Sequence, residues 1–163
     1  MALGMGGRRS QLEMRYLADV PDAISTLSKW FLQAWEPYYG VNGPGEAESD
    51  LRESLNRDRL PMCLLATDRS GALAGTISLK AESISHSELT PWGAAFVVEP
   101  TWRRQGVGTI LVGFLEHEAR RLGYRRLYMS TDAANAIVEG RGWHSFDTAE
   151  SLRGTITVYA IDL

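Results

Sequence analysis

Apolar residues recur at helical spacing in two long stretches of the chain, Pro21 to Trp35 and Gly106–Leu122. Residues three and four positions apart share one face of a helix, so both stretches predict amphipathic helices with a buried side. Asp19 or Asp22 is expected to cap the first helix, because a carboxylate accepts the free N–H groups at a helix start. Gly123 is expected just after the second helix, where a left-handed residue suits glycine.

Shorter apolar runs bounded by turn residues predict β-strands. The predicted strands are Leu12–Leu17, Met62–Thr67, Ala72–Lys80, Trp92–Val98, Leu127–Thr131 and Thr155–Ile161, with a further strand near Trp143–Phe146. Two more helices are predicted over Glu46–Arg57 and Ala133–Glu139. Glu36–Gly45 is dense in turn residues and predicts a loop.

The order of elements is therefore β-α-α-β-β-β-α-β-α-β, with one strand more if residues 143–146 are included. Early strands follow one another as hairpins, whereas later strands alternate with helices. This order predicts an α/β (α+β) fold with a mixed, mostly antiparallel central sheet of six to seven strands and about four flanking helices. Residues 1–11 are expected to form a flexible leader and residues 12–163 a single domain.

Composition narrows the classes of function. The 163 residues are 44% hydrophobic and 23% charged, as in ordinary globular proteins, and the net charge of −3 argues against nucleic acid as the main partner. No apolar stretch approaches the roughly 20 residues that span a bilayer, and the first residues lack the apolar segment of a signal peptide, so we expect a cytoplasmic protein without a membrane partner. Cys63 is expected to be a buried, inert thiol, and the scattered histidines predict no metal site.

The stretch from Phe96 to Gly108 predicts a strand, a short turn and the start of a helix. A phosphate can bind at a helix start, because the N–H groups there are free and the helix dipole is positive. Arg103 and Arg104 add charge, and Gly106 permits a turn conformation that side chains disfavour. Gly108 is expected to let a ligand approach the backbone. The expected phosphate-binding residues are Arg103, Arg104, Gln105, Gly106, Val107, Gly108 and Thr109.

A plain glycine-containing turn before a helix would show some of the same residues. The two arginines, the preceding strand and Pro100 favour a phosphate site over such a turn. The sequence contains no P-loop motif, and it lacks the glycine pattern with a following acidic residue that is typical of dinucleotide-binding folds.

The same stretch carries a family signature. Its members are Val98, Pro100, Arg103, Gly106 and Gly108, in the pattern V-x-P-x-x-R-x-x-G-x-G. This pattern resembles the acyl-CoA signature of the GCN5-related N-acetyltransferases. Further matching motifs are Pro91-Trp92, the tryptophans Trp30 and Trp35, Gly75–Leu79 and Gly142-Trp143. The resemblance extends from about Leu17 to the C-terminus and implies the fold of that family.

The resemblance also implies a reaction. Acetyl-CoA would be the co-substrate, with its pyrophosphate on the loop and its pantetheine arm along the strand residues Phe96, Val97 and Val98. That strand would splay from the next one, Leu127–Thr131, and leave a gap for the thioester. The Val98 N–H would polarise the thioester carbonyl. A neutral amine of a small molecule or a peptide would then attack directly.

Removing a proton from the attacking amine requires a base. Glu88, just before Pro91-Trp92, is the leading candidate, although a solvated loop glutamate is the alternative. Glu99 is a weaker candidate, because it is expected to face solvent. Glu36, Tyr38 and Tyr39 lie where relatives shape the acceptor pocket, and their carboxylate and aromatic groups would suit a cationic amine. The ordinary composition of a surface loop is the alternative explanation for them.

One position departs from the family pattern. Many relatives have a tyrosine on the last short helix that protonates the leaving thiolate, and Val138 occupies that position here. Tyr128, Ser130 or water could replace it, or coenzyme A could leave as the thiolate. The alternative function is therefore a non-catalytic or weakly catalytic acyl-CoA-binding or regulatory module. A nucleotide-binding protein is a remote third possibility. The final strand could pair across a homodimer.

Overall fold

The structure, a computed structural model, describes residues 11–163. Within this range the strands are β1 (Glu13–Tyr16), β2 (Met62–Thr67), β3 (Leu73–Lys80), β4 (Trp92–Val98), β5 (Arg126–Thr131), β6 (His144–Ser151) and β7 (Gly154–Asp162). The α-helices are α1 (Ile24–Ala34), α2 (Glu36–Tyr39), α3 (Ala47–Glu53), α4 (Val107–Arg121) and α5 (Asn135–Gly140). The predicted leader over residues 1–11 lies, except for Gln11, outside the described residues.

All seven of these strands form one sheet in the order β1-β2-β3-β4-β5-β7-β6. Every neighbouring pair is antiparallel except β4 and β5, which are parallel. The predicted mixed, mostly antiparallel sheet is therefore confirmed, including the further strand that follows α5. A parallel pair needs a long crossover connection, and α4 is the helix that makes it.

The C-terminal hairpin differs from its prediction in two ways. Strand β6 runs from His144 to Ser151, well beyond the predicted end at Phe146. Its side chains are mostly exposed, so the strand shows no apolar alternation from which its length could be predicted. The final strand, β7, lies between β5 and β6. Strand β7 is thus an inner strand that has no free edge. The prediction that this final strand could pair across a dimer is therefore wrong.

The N-terminal helices also differ from their predictions. The predicted loop after α1 contains a one-turn helix, α2, with Pro37 in its first turn. Helix α1 begins after a 3₁₀ turn at Pro21–Ala23, and no side chain caps it, so the predicted caps at Asp19 and Asp22 are wrong. Helix α3 is shorter than predicted and ends at Glu53.

Helices cover the two faces of the sheet. On the first, which we call the α4 face, α4 and α5 pack on strand residues such as Leu64, Ile77 and Met129. On the second, the α1 face, α1 and α3 pack on Cys63 and Leu65. The buried thiol of Cys63 contacts the Thr76 hydroxyl at 3.3 Å, and burial raises its pKa. This confirms that Cys63 lies in the core.

A buried carboxylate fixes β1 to α4. Glu118 has a side chain that is 1% exposed and accepts a hydrogen bond of 2.6 Å from the Tyr16 hydroxyl. Arg121 donates to the same carboxylate at 2.9 Å, so the buried charge is paired. Among residues 11–163, no helix is both long enough and apolar enough to cross a membrane.

Candidate active site

Strands β4 and β5 separate after a short region of pairing. Their parallel register includes only Trp92 with Tyr128 and Gly93 with Met129. Beyond these pairs, β4 stays on β3 as far as Val98, whereas β5 stays on β7 as far as Thr131. The sheet therefore contains a wedge-shaped gap, as the family resemblance implied, and backbone groups on its β4 side are available to a ligand.

A bulge in β4 marks the closed end of this gap. Ala95 has a positive φ of 52°, which costs free energy for a residue with a side chain. The register with β3 shifts opposite it, between Thr76 and Ser78. Alternation along β4 therefore changes phase at this point, and Phe96 and Val98 point toward the α4 face.

The backbone of Val98 points into the gap. Glu99 N donates to Ala74 O at 2.9 Å, so Glu99 forms a hydrogen-bonded pair with β3. Bonded and non-bonded pairs alternate along an antiparallel ladder, so Val98 directs its N–H and C=O away from β3. Consistent with this, Val98 O accepts from Arg103 Nε at 3.2 Å instead of from β3.

The same alternation separates the other two predicted strand residues. Phe96, like Val98, directs its N–H toward the gap, whereas Val97 is paired with Thr76 of β3. The side chain of Val97 packs with the α1 cluster. Phe96 and Val98 can therefore contact a ligand through their backbone, and Val97 faces away from the gap.

The turn between β4 and α4 is braced by side chains. A 3₁₀ turn spans Pro100–Trp102, and Glu99 caps it by accepting from Thr101 N at 3.0 Å. The Glu99 carboxylate, which was expected to face solvent beside Pro100, is thus engaged in this exposed cap. Gln105 Nε2 donates to Thr101 O at 2.8 Å, so its amide braces the turn.

Gly106 is the N-cap of α4 and has a φ of 84°. Only glycine adopts this conformation without cost, which confirms the reason predicted for it. Arg104 also has a positive φ, 60°, and is exposed. The first hydrogen bond of the helix joins Ile110 N to Gly106 O at 3.1 Å. The N–H groups of Val107, Gly108 and Thr109 lie ahead of it, so the helix supplies them with no carbonyl partner, as at helix starts where anions can bind.

A groove of about 490 Å³ continues from this helix start. It lies between α4 and α5, and its lining residues are Thr109, Ala136, Ile137, Gly140 and Arg141. The side chain of Val107 is buried in the core, so this residue can contribute only its backbone N–H. The groove and the gap together provide an extended site along the α4 face.

Gly108 has a packing role that was not predicted. A Cβ at this position would lie 2.8 Å from Ile137 Cδ1 and 3.1 Å from Phe96 Cζ. Both distances are shorter than ordinary contacts, so the glycine lets α5 and β4 pack closely against α4. This close packing is sufficient to explain the absence of a side chain here, and the approach of a ligand to Gly108 stays a prediction.

A charged clamp holds α5 against α4. Arg141 donates to both oxygens of Glu116, at 2.8 and 2.9 Å, and Trp143 Nε1 donates to the same carboxylate at 2.9 Å. Burial raises the pKa of Glu116, but these hydrogen bonds outweigh burial and the pKa lies below its ordinary value. The clamp fixes one wall of the groove, and no local sequence pattern indicates that these residues meet.

An aromatic cluster covers the closed end of the gap on the α1 face. The ring centroids of Trp92 and Tyr128 lie 5.4 Å apart, and those of Tyr128 and Phe146 lie 5.6 Å apart. His86 packs on the other side of Trp92 at 5.9 Å. This cluster therefore lies on the side of the sheet opposite α4.

Two hydrogen bonds orient the imidazole of His86. Its Nδ1 lies 2.7 Å from Ser85 Oγ, and its Nε2 lies 2.9 Å from Asp147 Oδ2 on β6. The hydrogen bond with His86 lowers the pKa of Asp147. Residues 86 and 147 are 61 positions apart in the sequence, so no local pattern could have paired them.

Other predicted acceptor-side residues have varied surroundings. Glu88 is exposed in the loop between β3 and β4. Tyr39 donates to Asp50 at 2.7 Å and joins α2 to α3, and burial together with this bond raises its pKa. Tyr38 packs edge-on against Tyr39 at 4.7 Å, whereas Glu36 is exposed. Tyr39 is therefore engaged in packing between helices.

Val138 lies in the core and is fully buried. Ile137, its neighbour on α5, faces the groove. The hydroxyl of Tyr159 is held at α5 by Asn135 at 2.9 Å. Asn135 and Ile137 project from different sides of the helix. Tyr159 therefore lies across α5 from the groove. Among the described residues, no group of three His, Cys, Asp or Glu side chains is placed to hold a metal ion.

Solved structures share this architecture. One is an aminoglycoside 6'-N-acetyltransferase complexed with coenzyme A, with a TM-score of 0.73 and 18% identity over 92% of this chain and 96% of that one. A GCN5-related N-acetyltransferase from Kribbella flavida gives 0.72 and 18% over 95% and 99%. The structure of yncA from Salmonella typhimurium with its cofactor acetyl-CoA gives 0.70 and 18% over 94% of each chain.

These identities are low, so the three structures establish the fold alone. No curated protein matches the sequence. The family model described as the acetyltransferase (GNAT) family matches residues 25–139, which include the gap, the turn after β4 and the whole of α4. The match covers more than half of the chain, which therefore belongs to the acetyltransferase (GNAT) family.

Proposed function

We propose that this protein transfers the acetyl group of acetyl-CoA to a primary amine of a small molecule or a peptide. The observation that supports this most directly is the position of the β4–β5 gap beside the free N–H groups of α4. An anion site and an exposed strand edge follow each other along one path. A molecule with a pyrophosphate at one end and an extended, amide-containing arm needs both.

The residues present fit such a co-substrate. The N–H groups of Val107, Gly108 and Thr109 would bind the pyrophosphate, with charge from Arg103 and Arg104. The groove beyond Thr109 is open and partly polar, as a phosphate-bearing ligand requires. Phe96 and Val98 would pair with the pantetheine amides through backbone groups that β3 leaves free.

Backbone N–H groups of β4 would stabilise the charge that develops on the thioester oxygen. Val98 is the donor expected from the sequence. Phe96 is a second donor on the same side of the strand, and it lies nearer to the closed end and the Ala95 bulge. A preorganised donor of this kind contributes about 3–4 kcal/mol to the transition state. The Ala95 bulge sets the position of the Phe96 N–H through the backbone alone, so no side chain is needed to orient this donor.

The acceptor amine would approach from the α1 face, beside the aromatic cluster. Its lone pair attacks the thioester carbon, the C–N bond forms, the C–S bond breaks, and the nitrogen loses a proton to solvent to give the neutral amide. A thiol is a good leaving group, so coenzyme A can depart as the thiolate without an acid at position 138. Ser130 is one of the hydroxyls that could replace the missing acid. It is half-buried on β5 and directly follows Met129, the β5 residue of the last β4–β5 pair.

A panel of acceptors tests the proposal. Kanamycin, spermidine, a tripeptide with a free N-terminus and hydroxylamine are each incubated with acetyl-CoA, and thiol release is followed. Kanamycin is included because two similar structures are aminoglycoside 6'-acetyltransferases. We expect thiol release that depends on at least one acceptor. Thermal stabilisation by acetyl-CoA without turnover on any acceptor would favour the alternative function.

That alternative, a non-catalytic acyl-CoA-binding or regulatory module, has one supporting observation. Val138 is buried and apolar where many relatives have the acid, and the described residues that line the groove beside α5 include no tyrosine. The absence of any stabilisation by acetyl-CoA near 1 mM, on the order of the upper end of ordinary KM values, would contradict both functions.

A further inference from the structure

Ser85, His86 and Asp147 form a chain of hydrogen bonds on the α1 face of the sheet. Ser85 Oγ lies 2.7 Å from His86 Nδ1, and Asp147 Oδ2 lies 2.9 Å from His86 Nε2. A carboxylate only accepts hydrogen bonds, so Nε2 holds the ring proton and Nδ1 accepts from the serine hydroxyl. The oxygen of Ser85 keeps a lone pair that can accept a proton from another molecule.

This chain lies at the closed end of the gap. His86 packs on Trp92, and Trp92 is the first β4 residue paired with β5. The next pair, Gly93 with Met129, is the last one before the strands separate. The imidazole is 13% exposed, whereas Ser85 is exposed. The hydroxyl is thus the part of the chain that a molecule on this face can reach.

We propose that Ser85, His86 and Asp147 form a proton relay that deprotonates the acceptor amine. The ammonium N–H bond breaks and the proton passes to Ser85 Oγ, while the hydroxyl proton of Ser85 passes to His86 Nδ1. The neutral amine then attacks the thioester carbon of acetyl-CoA, the C–N bond forms, and the C–S bond breaks with its electron pair on the sulfur. The second proton of the attacking nitrogen passes to the departing thiolate, directly or through water, and leaves a neutral amide and coenzyme A. Proton and electron pair are both accounted for, and the inference rests on the proposed acetyl transfer.

Asp147 is a positioning residue in this relay. Its carboxylate holds the imidazole with Nδ1 toward Ser85 and stabilises the positive ring that forms after proton transfer. Asp147 approaches from β6, and it is the charged group in direct contact with His86. Arg126 of β5 packs on the same aromatic cluster, with its guanidinium 5.6 Å from the Tyr128 ring and 5.2 Å from the Phe146 ring.

The relay competes with Glu88, the base expected from the sequence. Glu88 belongs to the same loop and is exposed. The imidazole is oriented from both sides, by the loop and by β6, and it is packed against an aromatic ring of β4. This fixed orientation, with Nδ1 directed to the serine hydroxyl, favours His86 as the proton acceptor.

The test compares two kinds of acceptor in wild type and in His86→Gln. Kanamycin, spermidine and the tripeptide are all protonated amines. The first acceptor is whichever of the three gives the highest kcat/KM with wild type. The second is hydroxylamine, which is largely unprotonated at neutral pH and needs no base. We expect kcat/KM for the amine to fall about 100-fold or more in His86→Gln, as is usual for loss of acid–base catalysis. The value for hydroxylamine should change by less than about threefold, because its attack needs no proton acceptor.

His117→Gln is the matched control. His117 is 69% exposed on α4, far from the relay in the sequence and on the other face of the sheet, and its replacement should leave both acceptors unaffected. Acetyl-CoA affinity and thermal stability are measured for every variant, so that misfolding is recognised. Ser85→Ala should lower the amine rate while leaving hydroxylamine transfer unchanged.

The results for the variants distinguish the relay from a packing role of His86 and from a base at Glu88. Unchanged amine transfer in His86→Gln would overturn the relay, as would an equal loss with both acceptors, since that would indicate a packing role. Loss of amine transfer in Glu88→Gln but not in His86→Gln would assign the base to Glu88. If wild type acetylated neither the amines nor hydroxylamine, the proposed function would fail, and the relay with it.

A spectroscopic measurement does not depend on turnover. The side-chain ¹⁵N resonances of His86 at pH 8 should show the tautomer with its proton on Nε2. Asp147→Asn replaces a group that only accepts with an amide that can also donate to Nε2, so the other tautomer should become populated and kcat for the amine should fall while KM for acetyl-CoA stays constant. A wild-type ring with its proton on Nδ1 would overturn the relay.

Discussion

Arg141 donates to both oxygens of Glu116 over 2.8 and 2.9 Å and so joins the end of α5 to the middle of α4. The two residues are 25 positions apart, and the Glu116 side chain is 7% exposed. Planar, two-point pairing of this kind combines strength with a defined orientation. The clamp therefore stabilises the fold and also sets the distance between the two helices that border the groove.

Removing the arginine should destabilise the protein. Arg141→Met leaves the Glu116 carboxylate buried with Trp143 Nε1 as its remaining donor, and we expect a loss of about 1.5–3 kcal/mol. The arginine side chain is 32% exposed, so water can partly replace it. Arg52→Met is the control, because Arg52 pairs with Glu48 on the surface, where a pair contributes about 0.5 kcal/mol or less. Equal losses in urea unfolding would contradict the buried role of the clamp.

The same carboxylate predicts a pH dependence of stability. The pKa of Glu116 in the folded state lies below its ordinary value of 4.5. A lowered pKa stabilises the folded state above the ordinary value, and this contribution is lost as the pH falls through the folded-state pKa. The free energy of unfolding of wild type should therefore exceed that of Glu116→Gln at pH 7. The difference should shrink as the pH falls below 4.5.

Urea unfolding between pH 7 and pH 3 measures this dependence, and Glu48→Gln provides the exposed comparison. A difference between wild type and Glu116→Gln that stays constant over the whole range would show that the charge of Glu116 contributes nothing. A difference that grows toward low pH would contradict the direction of the shift.

Replacing two glycines that have similar backbone conformations distinguishes the effect of backbone strain on stability from the effect on acetyl-CoA binding. Gly106 and Gly123 have φ values of 84° and 93°, and they lie just before and after α4. Alanine at either position should cost about 1–2 kcal/mol, the penalty for a left-handed residue with a side chain. Only Gly106→Ala should weaken acetyl-CoA binding, by about tenfold or more, because relaxing the turn moves the N–H groups that bind phosphate.

Calorimetric titration with acetyl-CoA and thermal unfolding together check both parts. Nothing lies within 4 Å of a Cβ added at Gly123, so its variant reports backbone strain alone. A Gly106→Ala variant that bound acetyl-CoA as tightly as wild type would place the phosphate site elsewhere.

Restoring the tyrosine of the family at position 138 should not improve the enzyme. Val138 is fully buried, so Val138→Tyr forces a large ring into a packed core and should cost about 1–3 kcal/mol. We expect a lower Tm and no gain in kcat. Val41→Tyr is the control at a fully exposed position and should leave Tm unchanged. A faster and equally stable Val138→Tyr enzyme would show that the backbone of α5 can shift to present the hydroxyl.

The sequence predicted those parts of the fold that depend on local pattern. Strands β2 and β4 begin and end at the predicted residues, because each is an apolar run bounded by turn residues. Gly106 was predicted with its reason, since a positive φ is a local property. Strand β6 was predicted too short, because an exposed edge strand gains its structure from hydrogen bonds to β7 and not from its own side chains.

The candidate site was predictable only in part, for the same physical reason. The turn and helix start lie in one continuous segment, and their chemistry follows from that segment alone. The clamp between Glu116 and Arg141 and the contact between His86 and Asp147 join residues that meet only after the sheet has formed. Gly108 is a further example, because the side chain that a Cβ at this position would contact most closely is Ile137 of another helix.

The early separation of β4 and β5 has a consequence for how products leave. The opening borders α4 and α5 on one face of the sheet and the aromatic cluster on the other. In a transferase of this design, coenzyme A and the acetylated amine would depart in opposite directions. Neither product would have to wait for the other, and a fresh amine could enter while spent coenzyme A still occupied its groove.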